Sequence, residues 1–511
     1  MASPSLAAAP RPPGAAAPAT AAAPFILGAP ADLGLMVAAP VWILPLLFLI
    51  GATVGDRNVN LAVGALGATG HHLPGMLRAY GDRALFRRFR ARFVAAPVVL
   101  AVLCLAVSTR GLHPIVLIAF VWGVWHALAQ TYGFARIYAA KEGAGDRDSA
   151  RADRALLVTW FLAIVVLSPL RLYALLDLGA ACGLPLPSAG ALAGLRQALV
   201  GATVVATAWW LVVVVRGARA GRGPGLIRLL LLGTSIGFWG FANVRVQHLL
   251  LATPLFEVFH DAQYLAIVWA FNRRRVDTAG VHLAAPMRAL FQSTALAVVV
   301  YVLAVLAYGA IALYPASWPM APWVMGLVAA SQLLHFYFDG FIWKVRDRDT
   351  SEVLGVGGPG KAAARPAASS SWPALRHALL WLLVIVPYVG LWYGESEAGM
   401  PPAERRVEVA ALVPDNALGR FEAAELLWQA GRRDEALAGF RAALALDPRL
   451  ASARRNLAFS LCELADQARD GDDRAALAGF IAELRDLRPG LDPADASFVD
   501  RRLAGYAAPR P

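Results

Sequence analysis

Long apolar runs dominate the hydrophobic pattern of this chain. Neither the period-two alternation of strands nor the single apolar stripe of a soluble helix prevails. A helix of about twenty apolar residues crosses a bilayer, and such runs recur between residues 33 and 392. They predict an all-α, polytopic bundle of about eleven transmembrane helices, near 33–54, 60–77, 94–108, 114–138, 155–178, 192–215, 227–243, 249–271, 290–313, 322–343 and 375–392. Beyond Glu395 charges return and the runs stop, which predicts a separate small helical domain over 395–511. Residues 1–32 read as a disordered Ala/Pro-rich tail, 33–349 as the main bundle, 350–371 as a Gly/Pro/Ala/Ser-rich flexible linker and 372–394 as the last membrane helix.

Composition agrees with the pattern. The 511 residues are 58% hydrophobic and 16% charged, against about a quarter charged in soluble domains. The net charge of +12 would suit nucleic acid, but the basic residues cluster at the ends of apolar runs. That is the habit of cytoplasmic loops and argues against a nucleic-acid partner. The clusters follow the second, fourth, sixth, eighth and tenth runs, so these helices are expected to run from outside to inside. The amino terminus would be cytoplasmic and the carboxy-terminal domain periplasmic in a bacterial inner membrane. Cys104, Cys182 and Cys462 form neither a disulfide framework nor a CxxC pair.

Histidines at one depth supply the candidate chemistry. His72, His126, His260 and His335 lie twelve, twelve, eleven and thirteen residues into helices that share a direction. At about 1.5 Å per residue they occupy one slab of the bilayer. Polar companions lie beside them or about one turn on: His71 beside His72, Gln130 after His126, Asp261 and Gln263 with Tyr264 after His260, and Asp339 after His335. Ionisable side chains at that depth are costly and suggest a functional site. Imidazoles with carboxylates suit a transition metal, so His72, His126, His260, His335 and Asp339 are expected as ligands. His71, Gln130, Asp261 and Gln263 are expected to support or supplement them. The alternative for any one histidine is a hydrogen bond between helices.

Trp125-His126 and the companion carboxylates give the helical part a layout similar to multi-histidine integral membrane oxygenases of the carotenoid-cleaving type. The family's histidine pairs with intervening Gly or Arg are not found here. The resemblance implies non-haem iron and oxidation of a lipid-like substrate; a haem-bearing electron carrier is the alternative. A periplasmic-facing transferase would need outer acidic residues, for which only Asp56 and Asp177 are available, and a non-catalytic scaffold or transporter also fits the layout.

Residues 416–448 resemble a tetratricopeptide repeat through Ala423, Leu427, Gly431, Ala436, Phe440, Ala443 and Pro448, with a looser second copy over 450–489. The resemblance implies a surface for a protein or peptide partner. Two repeats fall short of the three that usually make a stable stack, so this domain is expected to lean on the membrane surface or on a partner.

Overall fold

A computed structural model describes residues 24–110, 112–143, 146–246, 249–279, 283–314, 317–344, 347–356, 372–397 and 400–507. Most of the expected tail, most of the linker, His248 and His282 lie outside the described residues. Among the described residues the fold is all-α, and the only strand-like pairing is an isolated bridge between Asp82 and Leu283.

The longer helices of the bundle are α1 (Ala39–Val54), α2 (His72–Gly81), α3 (Arg90–Val107), α4 (His113–Lys141), α5 (Arg147–Leu167), α6 (Pro169–Ala181), α7 (Ala189–Arg219), α8 (Leu226–Gly240), α9 (Leu249–Ala279), α10 (Ala295–Gly309), α11 (Ala321–Ile342) and α12 (Trp372–Glu397). Six helical segments are long and apolar enough to cross a membrane, or up to eight if two bent pairs each count as one span. The chain is a membrane protein, but the eleven expected spans are not clearly all present.

Three of the differences have visible causes. The run near 155–178 breaks at Pro169, which has no N–H to continue the ladder. Ser168 caps the new helix by accepting from Arg171 N, and the two halves bend by 79°. The run near 60–77 is interrupted by a π-helical segment, Val63–Thr69, and a turn before α2 begins at His72. A Cβ on Gly70 would fall 2.7 Å from the Val305 carbonyl of α10, so this close approach requires glycine. Finally, the segments bearing His260 and His335 are absent from the span set because their own polar residues lower the hydropathy.

Part of the expected tail and linker is folded. Asp32 is fully buried and accepts from Ile26 N at 2.7 Å, Leu27 N at 2.8 Å and Tyr138 Oη at 2.9 Å, which ties residues 26–32 to α4. Residues 348–354 form a short helix whose buried Thr350 meets Arg78.

The carboxy-terminal domain contains α13 (Pro402–Leu412), α14 (Ala417–Gln429), α15 (Arg433–Leu446), α16 (Ala451–Asp470), α17 (Arg474–Leu487) and α18 (Pro493–Ala507). Gly431 adopts φ 77° in the turn between α14 and α15, and Ala424, Ala436, Phe440 and Ala443 are buried where those helices meet. The domain leans on the bundle itself. Arg405 reaches Asp177 at 2.8 Å, Tyr173 Oη donates to Glu422 at 2.9 Å, and Arg449 pairs with Asp56. Both acidic residues that a transferase reading would use are therefore engaged in docking.

Candidate metal centre

Four separate segments bring their histidines together. The turn before α2 supplies His71, α4 supplies His126, α9 supplies His260 and α11 supplies His335. All four are buried, with His335 only 1% exposed. The ring centroids of His71 and His260 are 5.3 Å apart, those of His126 and His260 5.2 Å, and those of His126 and His335 4.7 Å. The expected convergence of imidazoles is thus present in the geometry.

Two overlapping groups could hold an ion, with ligand atoms in each within 4.8 Å of one another: His71, His260 and His335; and His126, His335 and Asp339. His335 belongs to both. Its Nε2 lies 3.1 Å from His71 Nε2 and 3.2 Å from His126 Nε2. Nitrogens bound to one metal at roughly 2.0–2.1 Å lie at about this mutual spacing.

The protons make the case sharper. His71 Nδ1 lies 3.2 Å from the Gly67 carbonyl and 2.8 Å from Asp261 Oδ1, both of which only accept. The proton of neutral His71 therefore sits on Nδ1, and Nε2 presents a lone pair. A single proton on His335 Nε2 cannot point along both of its contacts. His335 Nδ1 has no hydrogen-bond partner, and neither carboxylate oxygen of Asp261 has one with good geometry. Buried polar atoms left in this state are costly. A cation bound through Nε2 lone pairs would relieve the His335 Nε2 contacts that one proton cannot serve, so the donor set fits a metal.

The ligand assignment differs from expectation at one pair. His71, expected in support, lies in a ligand group, whereas His72 does not. His72 stacks on His335 at 4.8 Å and its Nδ1 meets Ser331 Oγ at 3.0 Å. The π segment and turn preceding α2 shift the angular phase, so residue counting along a regular helix does not distinguish the two neighbours.

Other expected residues divide. Asp339 lies 3.7 Å from His335 Nε2 and is held by Tyr264 Oη at 3.0 Å and Trp343 Nε1 at 2.9 Å. Asp261 touches His71, as expected of a supporting carboxylate. Gln130 reaches the centre only through the His260 carbonyl, at 3.2 Å. Gln263 points elsewhere: its Nε2 donates to the Met36 carbonyl at 2.8 Å and ties α9 to the amino-terminal segment. His113 pairs with Glu395, and His377 meets Tyr337 Oη, both away from the centre.

Sequence reasoning overlooked Glu257 and Ser331. Glu257 precedes Asp261 by four residues, so its place on the same face of α9 was legible. Ser331 precedes His335 by the same interval. Glu257, with Arg171, lines a cavity of about 270 Å³ on one side of the cluster. A larger cavity of about 430 Å³ lies on another side, and His126 and Phe336 line both.

The chain matches no protein-family model, no curated protein and no solved structure.

Proposed function

We propose that this chain is a metal-dependent membrane oxidoreductase that acts on a lipid-like substrate, with non-haem iron at the histidine–carboxylate centre and dioxygen as the oxidant. The observation that carries this reading is the approach of the His71 and His126 Nε2 atoms to the Nε2 of His335, where one proton cannot serve both contacts. Bound iron would supply redox chemistry. The chain's own residues hold the ring tautomers through Gly67 and Asp261, place a carboxylate at Asp339, and keep bulk water away by burial. A haem carrier is less favoured, because axial imidazoles must stand on opposite faces of a macrocycle and these Nε2 atoms face each other at 3.1 and 3.2 Å.

The basic clusters favour a cytoplasmic amino terminus, a periplasmic carboxy-terminal domain and an inner-membrane location. The α14–α15 hairpin, similar to a tetratricopeptide repeat, would present a surface to a protein or peptide.

Metal analysis of detergent-purified full-length protein tests the centre. The wild type and a His377→Ala control are expected to carry iron, His335→Ala to lose it, and the visible spectrum to lack a Soret band. Equal metal content in the wild type and His335→Ala would overturn the proposal.

A further inference from the structure

The larger cavity has the build of a site for a chain-bearing ligand. Its volume of about 430 Å³ lies near the low end of the range for ligand pockets, roughly 300–1,000 Å³. Its walls are aromatic and aliphatic, with Trp122, Trp381, Phe271 and Phe341 among them. His126, Gln130 and Asp339 bring it to the metal centre, and the buried Oε1 of Gln130 has no hydrogen-bond partner. Trp125 and Leu380 line it too and are 47% and 51% exposed, so it opens sideways between α4 and α12, where lipid chains lie.

Charge tells what the ligand carries. The cavity wall also includes Arg92 and Lys344, and a neutral His377 whose Nε2 accepts from Trp381 Nε1. The Arg92 guanidinium lies 5.2 Å from the ring centroids of both Phe89 and Phe341, and among the described residues no carboxylate pairs with it. Cationic groups beside an apolar chamber complement an anionic head attached to an apolar chain. Gly133 and Gly340 also line the space, and a Cβ built on either meets nothing within 4 Å. Gly133, half-buried, therefore leaves open space beside it, while Gly340 is exposed.

We infer that this cavity binds a single-chain anionic amphiphile, its head at Arg92 and its chain running towards His126. A carbon within the chain, away from the head, is then the part nearest the centre. As a substrate site this rests on the metal-oxidation reading above; as a binding site it does not.

The test is photolabelling of full-length protein in nanodiscs with a diazirine-bearing fatty acid, mapped by mass spectrometry. Labels are expected on the cavity-facing residues of α4 and α11. Gly133→Leu, which fills the chamber while improving helix propensity, should abolish them, and Gly340→Leu provides a second obstruction. Arg92→Gln should weaken competition by anionic amphiphiles about tenfold, the scale of one lost charge-assisted contact. Displacement by palmitate identifies a carboxylate head, and displacement by lysophosphatidate a phosphate head; both support the site. Labelling unchanged by both glycine substitutions, or equal competition by a fatty alcohol, would overturn it. The metal-free His335→Ala variant should still label. Metal analysis and labelling thus fail separately, one reporting on the centre and the other on the cavity.

Discussion

Helices α7 and α9 have the same length, 31 residues, and opposite characters. α7 is apolar nearly all round, and only 11% of its most apolar stretch is buried. α9 buries His260, Asp261, Gln263 and Asn272. Hydropathy therefore marks the lipid-facing shell more strongly than α9, which carries part of the chemistry. The energetics reverse with it. On α7 a side chain exchanges one apolar neighbour for another, because lipid tails are as apolar as leucine. Inside the bundle every polar atom depends on a specific partner.

The largest effect is expected at a buried ion pair that serves structure alone. Asp153 of α5 is buried, pairs with Arg228 of α8 and accepts from Trp210 Nε1 at 3.0 Å. Removing one member of such a pair strands the other, at a cost of about 3–5 kcal/mol. Asp153→Ala should lower the unfolding temperature in detergent by a wider margin than overpacking at a buried glycine or truncation of a lipid-facing side chain. A shift no larger than that of a lipid-facing variant would break the contrast between interior and shell.

Next comes Gly75 on α2. A Cβ there would stand 2.9 Å from Tyr264 Oη, the hydroxyl that donates to Asp339. Gly75→Val is expected to destabilise by about 1–3 kcal/mol through overpacking and to weaken metal retention by displacing the Asp339 carboxylate. Normal metal retention would show that Asp339 is not a ligand.

These two cases also show what could be read from the sequence. The depth of His126, His260 and His335 was legible, because a regular helix converts residue count into height. The choice between His71 and His72 was not, because the π segment ahead of them alters the phase without changing composition. Gln263 looked like a partner of His260 by spacing, yet the fold of residues 26–37 gives its amide another acceptor. The eleven runs correspond to only six to eight clear spans for a related reason: an apolar run does not give the size of the bend at Ser168-Pro169. The two cavities depend on how four helices splay, and no single segment encodes that.

A smaller, pH-dependent effect is expected where the carboxy-terminal domain docks. Burial raises the Glu422 carboxyl above its usual range, while the Tyr173 hydrogen bond pulls the other way. With the docked pKa raised, the contribution is fully present below the ordinary carboxylate pKa and is lost as pH rises through the docked value. Amide exchange across residues 417–429 should therefore quicken as pH climbs through that window, after correction for intrinsic exchange. Glu422→Gln should remove the dependence, and its persistence in that variant would assign it to another group.

The smallest effect belongs to the shell. Leu383 of α12 and Val205 of α7 are 71% and 70% exposed, on surfaces where lipid would stand. Leu383→Ala and Val205→Ala remove no interior contact, and each should stay within about 0.5 kcal/mol of the parent. Thermal unfolding in the same detergent as Asp153→Ala makes the comparison direct. A loss above about 2 kcal/mol at either position, the scale of a buried leucine truncation, would mean that this face is covered by protein, and α7 or α12 would then have to be reassigned from lipid contact to an interface between subunits.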